Sequence, residues 1–235
     1  MSLRTAFDTP DRKRAYNRAL FATIADRYDL ITKLLSYGQD ARWKRTLMAR
    51  ARVQPGERVL DLACGTGDLA FAAAAQGGRV IGIDLTHRML QLASRKSAAA
   101  AFATGDMTHL PLASSAFDVV TTGYGLRNVP DLAAAIDEIA RVLRPGGRLL
   151  SLDFNRPESP LIRSAYLAYL TAAGGALGWL LHRDPDTYRY IPASIRRYPG
   201  AAGVATLLAS RGFTSVRVVP LLLGLMTLHL AERAR

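Results

Sequence analysis

Acidic and glycine residues recur at the ends of short apolar runs in the first half of this chain. Val59-Leu-Asp-Leu-Ala-Cys-Gly-Thr-Gly67 carries Asp61 inside such a run and ends on Gly65-Thr66-Gly67, and Asp84 closes the next run, Val80-Ile-Gly-Ile-Asp84, 17 residues after Gly67. A strand that enters a tight glycine turn lets the backbone approach a ligand closely, and an acid ending the following strand can accept hydrogen bonds from a ribose. That layout serves nucleoside cofactors in general. Gly67 is followed by Asp68-Leu69-Ala70 rather than the third glycine of a dinucleotide fingerprint. The carboxylates of Asp61 and Asp68 also make the turn a poor place for a pyrophosphate. A cofactor bearing an amino group and a sulfonium, S-adenosylmethionine, suits that field, leaving S-adenosylhomocysteine as product. Without the second strand and its terminal acid, Gly-x-Gly would be only a turn.

These residues need a frame. Between 57 and 154 strand and helix patterns alternate: strands at Arg58–Leu62, Arg79–Asp84, Ala101–Thr104, Phe117–Thr122 and Arg148–Phe154. Helical patterns fall at Asp68–Gln76, Thr86–Lys96 and Asp131–Leu143, the last closed by Arg144-Pro145-Gly146-Gly147. The rhythm predicts a parallel sheet with helices on both faces. A helix over Ala201–Arg211 and two strands, Val216–Val219 and Leu225–Leu230, follow, the pair close enough to form a hairpin that adds one antiparallel strand. Ahead of the sheet, residues 12–52 read as helical, with Leu20, Phe21, Ile24, Tyr28, Ile31, Leu34 and Leu35 at three- and four-residue spacing. The expected organisation is a helical cap over 1–52 and a binding domain over 53–235, with an insertion at about 156–200.

In open α/β sheets ligands sit beyond the carboxyl ends of the strands. The loops there hold Cys64–Asp68, Asp84-Leu85, Gly105-Asp106-Met107 and Gly123-Tyr124-Gly125-Leu126-Arg127-Asn128. Asp106 could take the adenine amino group while Met107 packs on the ring, with Leu85 alongside.

Composition bounds the partners. The 235 residues carry 49% hydrophobic and 21% charged side chains, a balance that argues against global disorder. A single cysteine excludes an internal disulfide framework and points to a reducing cytoplasm. Four histidines show no metal-ligand spacing with it, so no metal is expected. Residues 1–18 are polar and basic, unlike a signal peptide. Thirty-one Lys and Arg against 19 Asp and Glu give a net charge of +12, front-loaded at Arg4, Arg12, Lys13, Arg14 and Arg18. Such a surface favours nucleic acid or an anionic membrane face. Ser164 to Leu181 is uncharged over 18 residues, at the lower edge of a bilayer span, yet it contains Tyr166, Tyr169 and Gly174-Gly175. It reads as an insertion that covers a ligand or touches lipid, with a plain core helix pair as the alternative.

Longer segments resemble the ubiquinone/menaquinone biosynthesis C-methyltransferases. They are Leu60–Asp68, Gly125-Leu-Arg-Asn-Val129, Val142–Leu149, Asp26-Arg-Tyr-Asp-Leu30, Leu34-Leu-Ser-Tyr-Gly38, Arg42-Trp-Lys44, Tyr188–Ile195 and Leu228-His229. The likeness covers roughly residues 20–230. It implies a Rossmann-like, class I methyltransferase α/β fold: a mostly parallel seven-stranded sheet with an antiparallel last strand, N-terminal helices and an insertion after strand five. By position, the family's cofactor contacts fall on Thr66, Asp84, Asp106, Met107 and Gly123. Three departures stand out: Cys64 where the family often has glycine, Thr32 where it usually has asparagine, and Gly123 where a small hydroxyl or alanine is common.

The resemblance implies methylation of a polyprenylated quinol ring, demethylmenaquinol or the benzoquinol of ubiquinone synthesis. The ring carbon becomes nucleophilic when an ortho phenol ionises. A guanidinium keeps its proton, so Arg127 suits stabilisation of the phenolate rather than proton removal. Asn128 would orient the quinol or a water, and Tyr28 would bond to the oxygen. Tyr124, Tyr188, Tyr190 and Ser194 would line the quinol's groove. A prenyl quinol lives in the membrane, so the basic charge and apolar insertion imply docking at the anionic inner face. A soluble phenol is the competing acceptor. Nucleic acid fits poorly, because base-flipping methyltransferases place an Asn/Asp-Pro-Pro-Tyr-like loop where this chain has Gly-Tyr-Gly-Leu-Arg-Asn. The sequence leaves a homodimer open.

Overall fold

The computed structural model describes residues 3–235; Met1 and Ser2, at the head of the basic segment, lie outside the described residues. Seven strands form one sheet in the order β3-β2-β1-β4-β5-β7-β6. They are β1 (Arg58–Leu62), β2 (Arg79–Asp84), β3 (Ala101–Thr104), β4 (Phe117–Gly123), β5 (Leu143–Phe154), β6 (Phe213–Leu221) and β7 (Met226–Arg233). The first five pair in parallel, and β7 runs antiparallel to both of its neighbours. This is the class I methyltransferase arrangement.

Both faces of the central strands are buried, which is why they read as continuous apolar runs. Leu60, Val120 and Leu149 pack on one face with Ile136, Ile139 and Leu208. Their neighbours Val59, Val119 and Leu150 pack on the other with Trp43, Leu47 and Leu69. Each fully buried aliphatic side chain there contributes roughly 1.5–3 kcal/mol. The covering helices are α3 (Asp40–Ala51), α4 (Asp68–Ala75), α5 (His87–Lys96), α6 (Leu132–Val142) and α9 (Gly200–Ser210). Helix α6 starts where the Asp131 side chain accepts from the Ala134 amide, and Ala135, Ile136, Ile139 and Val142 give it one buried stripe.

The N-terminal segment is helical as expected, in separate helices: α1 (Pro10–Ile24) and α2 (Tyr28–Leu35) are divided by a 3₁₀ turn, and α3 begins after Tyr37 and Gly38, at φ 51° and 74°. Two expectations need correction. Arg144–Gly147 does not separate helix from strand. It bulges within β5, so that Phe117 faces Leu143 while Val119 faces Arg148. The sixth strand also begins at Phe213, ahead of the expected Val216, and the seventh runs on to Arg233, past the expected Leu230.

The insertion is a pair of helices, α7 (Pro160–His182) and α8 (Asp186–Arg197). Glycines that weakened α7 as a sequence pattern let the pair approach closely. A Cβ at Gly174 would lie 3.0 Å from the Tyr188 carbonyl oxygen, and one at Gly178 would lie 2.5 Å from that of Asp184. Leu20, Ile24 and Ile31 from α1 and α2 pack with Tyr188 and Tyr190 of α8 and Met89 of α5. The N-terminal helices and the insertion thereby close over the carboxyl ends of the strands.

Candidate active site

Under that cover lies a cavity that opens to solvent. Its floor is made by Gly65, Asp84, Leu85, Gly105, Asp106, Met107, Gly123, Tyr124, Arg127 and Asn128 from the loops after β1 to β4. Leu20 and Phe21 of α1, Tyr28, Ile31 and Leu35 of α2, and Tyr188 and Tyr190 of α8 line the rest. Asp61, Thr66, Gly67 and Ser194 stand back from this wall.

The cofactor end is built by the β1–α4 turn and Asp84. Asp84 accepts from the Gly65 amide at 2.9 Å and the Thr86 amide at 2.8 Å, so each oxygen keeps lone pairs for further donors. Burial raises its carboxyl above the ordinary value, against those two bonds. Gly67 adopts φ 91° as the residue before α4, and a Cβ there would strike Phe71 at 2.7 Å. Its glycine serves the turn. Thr66 points away, donating to Asp29 at 2.7 Å, and Asp61 sits in the core, 1% exposed, accepting from Thr121 at 2.8 Å. Burial pushes the Asp61 carboxyl up to about 7. Asp106 accepts from Thr108 and, at 2.5 Å, from Arg14 of α1. Burial opposes its charge, but those donors prevail and hold it below the usual carboxylate range.

These groups suit S-adenosylmethionine. Asp84 offers acceptors for two ribose hydroxyls, and Gly65 leaves a cradle in which a Cβ would meet only the Tyr28 ring, at 3.7 Å. Ile83, Leu85, Met89 and Met107 give an adenine ring apolar faces on the same wall.

The acceptor end is organised by Arg127. It is 5% exposed and pairs with Asp153, itself 1% exposed, at the end of β5. The Arg127 amide donates to Asp153 Oδ2 at 3.0 Å and Nε to Oδ1 at 3.2 Å. Nη1 donates to Asn128 Oδ1 at 3.1 Å and to Ser194 Oγ at 2.6 Å, which ties α8 to the guanidinium. The guanidinium carbon lies 5.0 Å from the Phe154 ring centroid. Nη2 meets no acceptor among the described residues. Asn128 is committed at both ends of its amide, since Nδ2 donates to the Tyr124 carbonyl at 2.7 Å. Burial pushes the Tyr28 phenol up to about 12, which keeps its proton in place at neutral pH. Tyr188 shares a 2.8 Å hydrogen bond with His182, and Tyr190 stacks between Phe7 and Tyr16.

Two groups of residues escaped sequence reasoning. Asp153 ends an apolar strand just as Asp84 does, a signal the rule about strand ends could have caught. Lys13, Arg14 and Asn17 of α1 were read as surface charge or not at all. Lys13 instead donates to the carbonyls of Arg127 at 3.3 Å and Val129 at 2.5 Å, and Asn17 donates to that of Asn128 at 2.5 Å. Burial, then the nearby Arg127 and Arg197, lower the Lys13 ammonium to about 8.

Comparison with solved structures places this fold among methyltransferases. A chain from the complex of the Haloferax volcanii Trm112 methyltransferase activator and a putative methyltransferase superposes with a TM-score of 0.67 at 20% identity, covering 92% of this chain and 98% of that one. Haemonchus contortus phosphoethanolamine N-methyltransferase 2, solved with S-adenosyl-L-methionine, gives 0.63 at 16% identity over 92% of this chain and 60% of that one. Sequence relatives are nearer. The demethylmenaquinone methyltransferase of Thermus thermophilus is 39% identical over 220 residues, 91% of this chain and all of that protein. That of Mycobacterium marinum is 38% identical over 226 residues, 96% of each chain. Residues 10–233 match the sequence profile of the ubiE/COQ5 methyltransferase family, and with these relatives the match shows that the chain belongs to that family.

Proposed function

We propose that this S-adenosylmethionine-dependent C-methyltransferase methylates the ring of a prenylated quinol, with demethylmenaquinol as the favoured acceptor over the benzoquinol of ubiquinone synthesis. The observation that carries the reading is Arg127, held almost wholly buried with one free Nη2 on a cavity whose walls are otherwise largely apolar. The names of the relatives favour the naphthoquinol. The cofactor supplies a methyl already activated on a sulfonium. What the chain must do is hold the acceptor ring in line and favour its phenolate. Arg127 Nη2 offers charge-assisted stabilisation to the developing oxyanion. Tyr28, kept protonated by burial, offers a second donor. Asp153 fixes the orientation of Arg127 through two of its nitrogens.

The same reading accounts for the outer surface and puts the enzyme at the cytoplasmic face of the membrane. Among the described residues, every exposed large apolar side chain except Val218 lies on one of three neighbouring parts. They are α2 with the turn after it (Leu30, Leu34, Tyr37), α7 (Leu161, Ile162, Tyr169, Trp179, Leu180) and the β6–β7 hairpin tip (Leu222, Leu223). Exposed Ala165, Ala168, Ala172 and Ala176 link those of α7 into one uncharged stripe. The Tyr37 and Tyr169 hydroxyls join α2 to α7, while Asn155 joins the hairpin tip to the chain entering α7. A helix that turns its apolar stripe to solvent fits a bilayer interface. Lys33, Arg163 and Arg183 border it with no carboxylate partner among the described residues, and the +12 charge of each copy opposes self-association there. The basic N-terminal segment contributes less, because Arg12 pairs with Asp8 and Arg14 with Asp11 and Asp106.

Vesicle experiments test both parts. With quinol-loaded anionic vesicles, the enzyme is expected to sediment with lipid, to release as salt rises, and to methylate the naphthoquinol faster than the benzoquinol. Leu161→Asp with Leu180→Asp is expected to abolish sedimentation and long-tailed quinol turnover while leaving a short-tailed soluble quinol unaffected. Unchanged sedimentation would remove this face as the docking surface. Preference for an untailed phenol would remove the prenyl quinol.

A further inference from the structure

A chain of hydrogen bonds leaves the cavity on the side of α3 and ends at solvent. It begins at Tyr124, whose φ of 62° lies in the left-handed region that a bulky aromatic side chain seldom adopts. Three bonds impose that conformation. The Tyr124 amide donates to the Leu152 carbonyl at 2.7 Å, its carbonyl accepts from Asn128 Nδ2 at 2.7 Å, and its hydroxyl donates to Asp40 Oδ1 at 2.5 Å. Asp40 Oδ2 receives Lys44 Nζ at 2.7 Å, and the same ammonium reaches Asp68 Oδ2 at 2.8 Å. The Asp40 and Lys44 side chains are only 13% and 14% exposed, whereas Asp68 is 44% exposed. The path therefore runs from the cavity wall, through a sheltered ion pair, to a carboxylate in water.

Ring methylation must discharge one proton, and the other carboxylates near the cavity have structural or cofactor partners. Both oxygens of Asp153 are engaged by Arg127 and the Phe154 amide and those of Asp106 by Arg14 and Thr108, while Asp84 holds the Gly65 turn and leaves its remaining lone pairs to the ribose. Burial pushes the Cys64 thiol far up, and the side chain belongs to the cofactor turn. Tyr124 joins the cavity to Asp40, a carboxylate that is partly exposed to solvent.

We propose that Tyr124 and Asp40 carry the acceptor's hydroxyl proton out of the cavity, an inference that rests on the phenol-methylation reading above. Tyr124 Oη takes the proton from the acceptor hydroxyl as its own passes to Asp40 Oδ1. The acceptor O–H bond breaks and leaves its electron pair on oxygen, from which the ortho carbon becomes nucleophilic. That carbon gains the methyl, then loses its hydrogen as a proton to the ring oxygen, and the C–H pair restores aromaticity. The net proton is the one on Asp40. Asp40, its side chain 13% exposed, then gives the proton to water, while the Lys44 ammonium, anchored by Asp68, keeps its charge and holds the carboxylate in place.

The electrostatics support this division of labour. Burial, reinforced by Asp40, holds the Tyr124 phenol well above its ordinary range, so it returns to the protonated form and acts as a conduit. Burial opposes the Lys44 charge, but Asp40 and Asp68 outweigh it and keep the ammonium charged. Around Asp40 the titratable groups are Lys44 on its own helix, Tyr28 on α2, Tyr124 after β4 and Asp68 on α4.

The test compares the full-length wild type with Tyr124→Phe and Asp40→Asn, in single turnover on quinol from pH 6 to 10. Both variants are expected to keep their melting temperature and S-adenosylmethionine affinity and to lose turnover by about 10²-fold at neutral pH, the usual scale of positioned proton transfer. The loss should shrink as pH rises, since hydroxide can then take the proton. If Asp40→Asn folds poorly, the near-isosteric Tyr124→Phe decides alone. Near-normal turnover at neutral pH, or a loss equal at every pH, overturns the relay and leaves Tyr124 a packing residue. A wild type that methylates no quinol or phenol removes the reading beneath it, and the relay with it. Wild-type activity matched by both variants overturns the relay only.

Discussion

Arg127→Leu is expected to retain S-adenosylmethionine affinity and to lose ~10²–10³ in turnover, because the lost donor acts mainly as charge develops on the acceptor oxygen. Stability must be separated from chemistry, since the substitution strands Asp153 at 1% exposure. Removing one partner of such a pair typically costs about 3–5 kcal/mol. The double variant Arg127→Leu/Asp153→Leu removes the stranded carboxylate and is expected to recover melting temperature without recovering turnover. Acid should also relieve the single variant. Burial already raises the Asp153 carboxyl in the folded protein, and loss of Arg127 raises it further. The folded state then binds the proton more tightly than the unfolded chain. The group's destabilising contribution grows as pH rises through the window between the unfolded and folded values, and it shrinks on acidification. Arg127→Lys should rescue only part of the rate, as an ammonium cannot reproduce the bonds Nε and Nη1 make to Asp153, Asn128 and Ser194. Normal turnover in the leucine variant would place the stabilising charge elsewhere.

Asp84→Ala is expected to weaken S-adenosylmethionine binding at least tenfold, the equivalent of ~1.5–3 kcal/mol for a lost charged acceptor. The structure gives that loss two sources. Asp84 offers its remaining lone pairs to the ribose, and it also holds the Gly65 amide, so removing it loosens the turn that bears the cofactor. Asp84→Asn keeps one acceptor oxygen and should fall between wild type and alanine. Calorimetry on the folded variants measures both, and unchanged affinity in the alanine variant would refute the assignment.

The central fold was legible because local signals coincide there. Apolar runs such as Val59–Leu62 and Phe117–Thr122 are bounded by glycine or acidic turns, and the helices between them carry a single apolar stripe. What was not legible depends on distant partners. Nothing local to Arg127 announces Asp153, 26 residues on, nor the Ser194 hydroxyl that α8 brings to it. Lys13 and Arg14 read as solvated charge, yet α1 turns them onto the loops they fasten. Asp40 drew no notice in the sequence, and only tertiary packing sets it between Tyr124 and Lys44. The uncharged stretch 164–181 gave a helix but not its surroundings. Its glycines pack toward α8 and Leu167 and Leu170 are buried, while Trp179, Leu180 and four of its alanines face outward.

The most direct test of the account follows the fate of one methyl group. The enzyme is supplied with S-adenosylmethionine labelled as CD₃ on sulfur and with reduced demethylmenaquinol in vesicles, and the extracted product is analysed by mass spectrometry and proton NMR. The account predicts a gain of one CD₃, loss of the single quinoid ring hydrogen and retention of both hydroxyls. A methoxy product, or no label in the lipid while a soluble phenol is labelled, would contradict it.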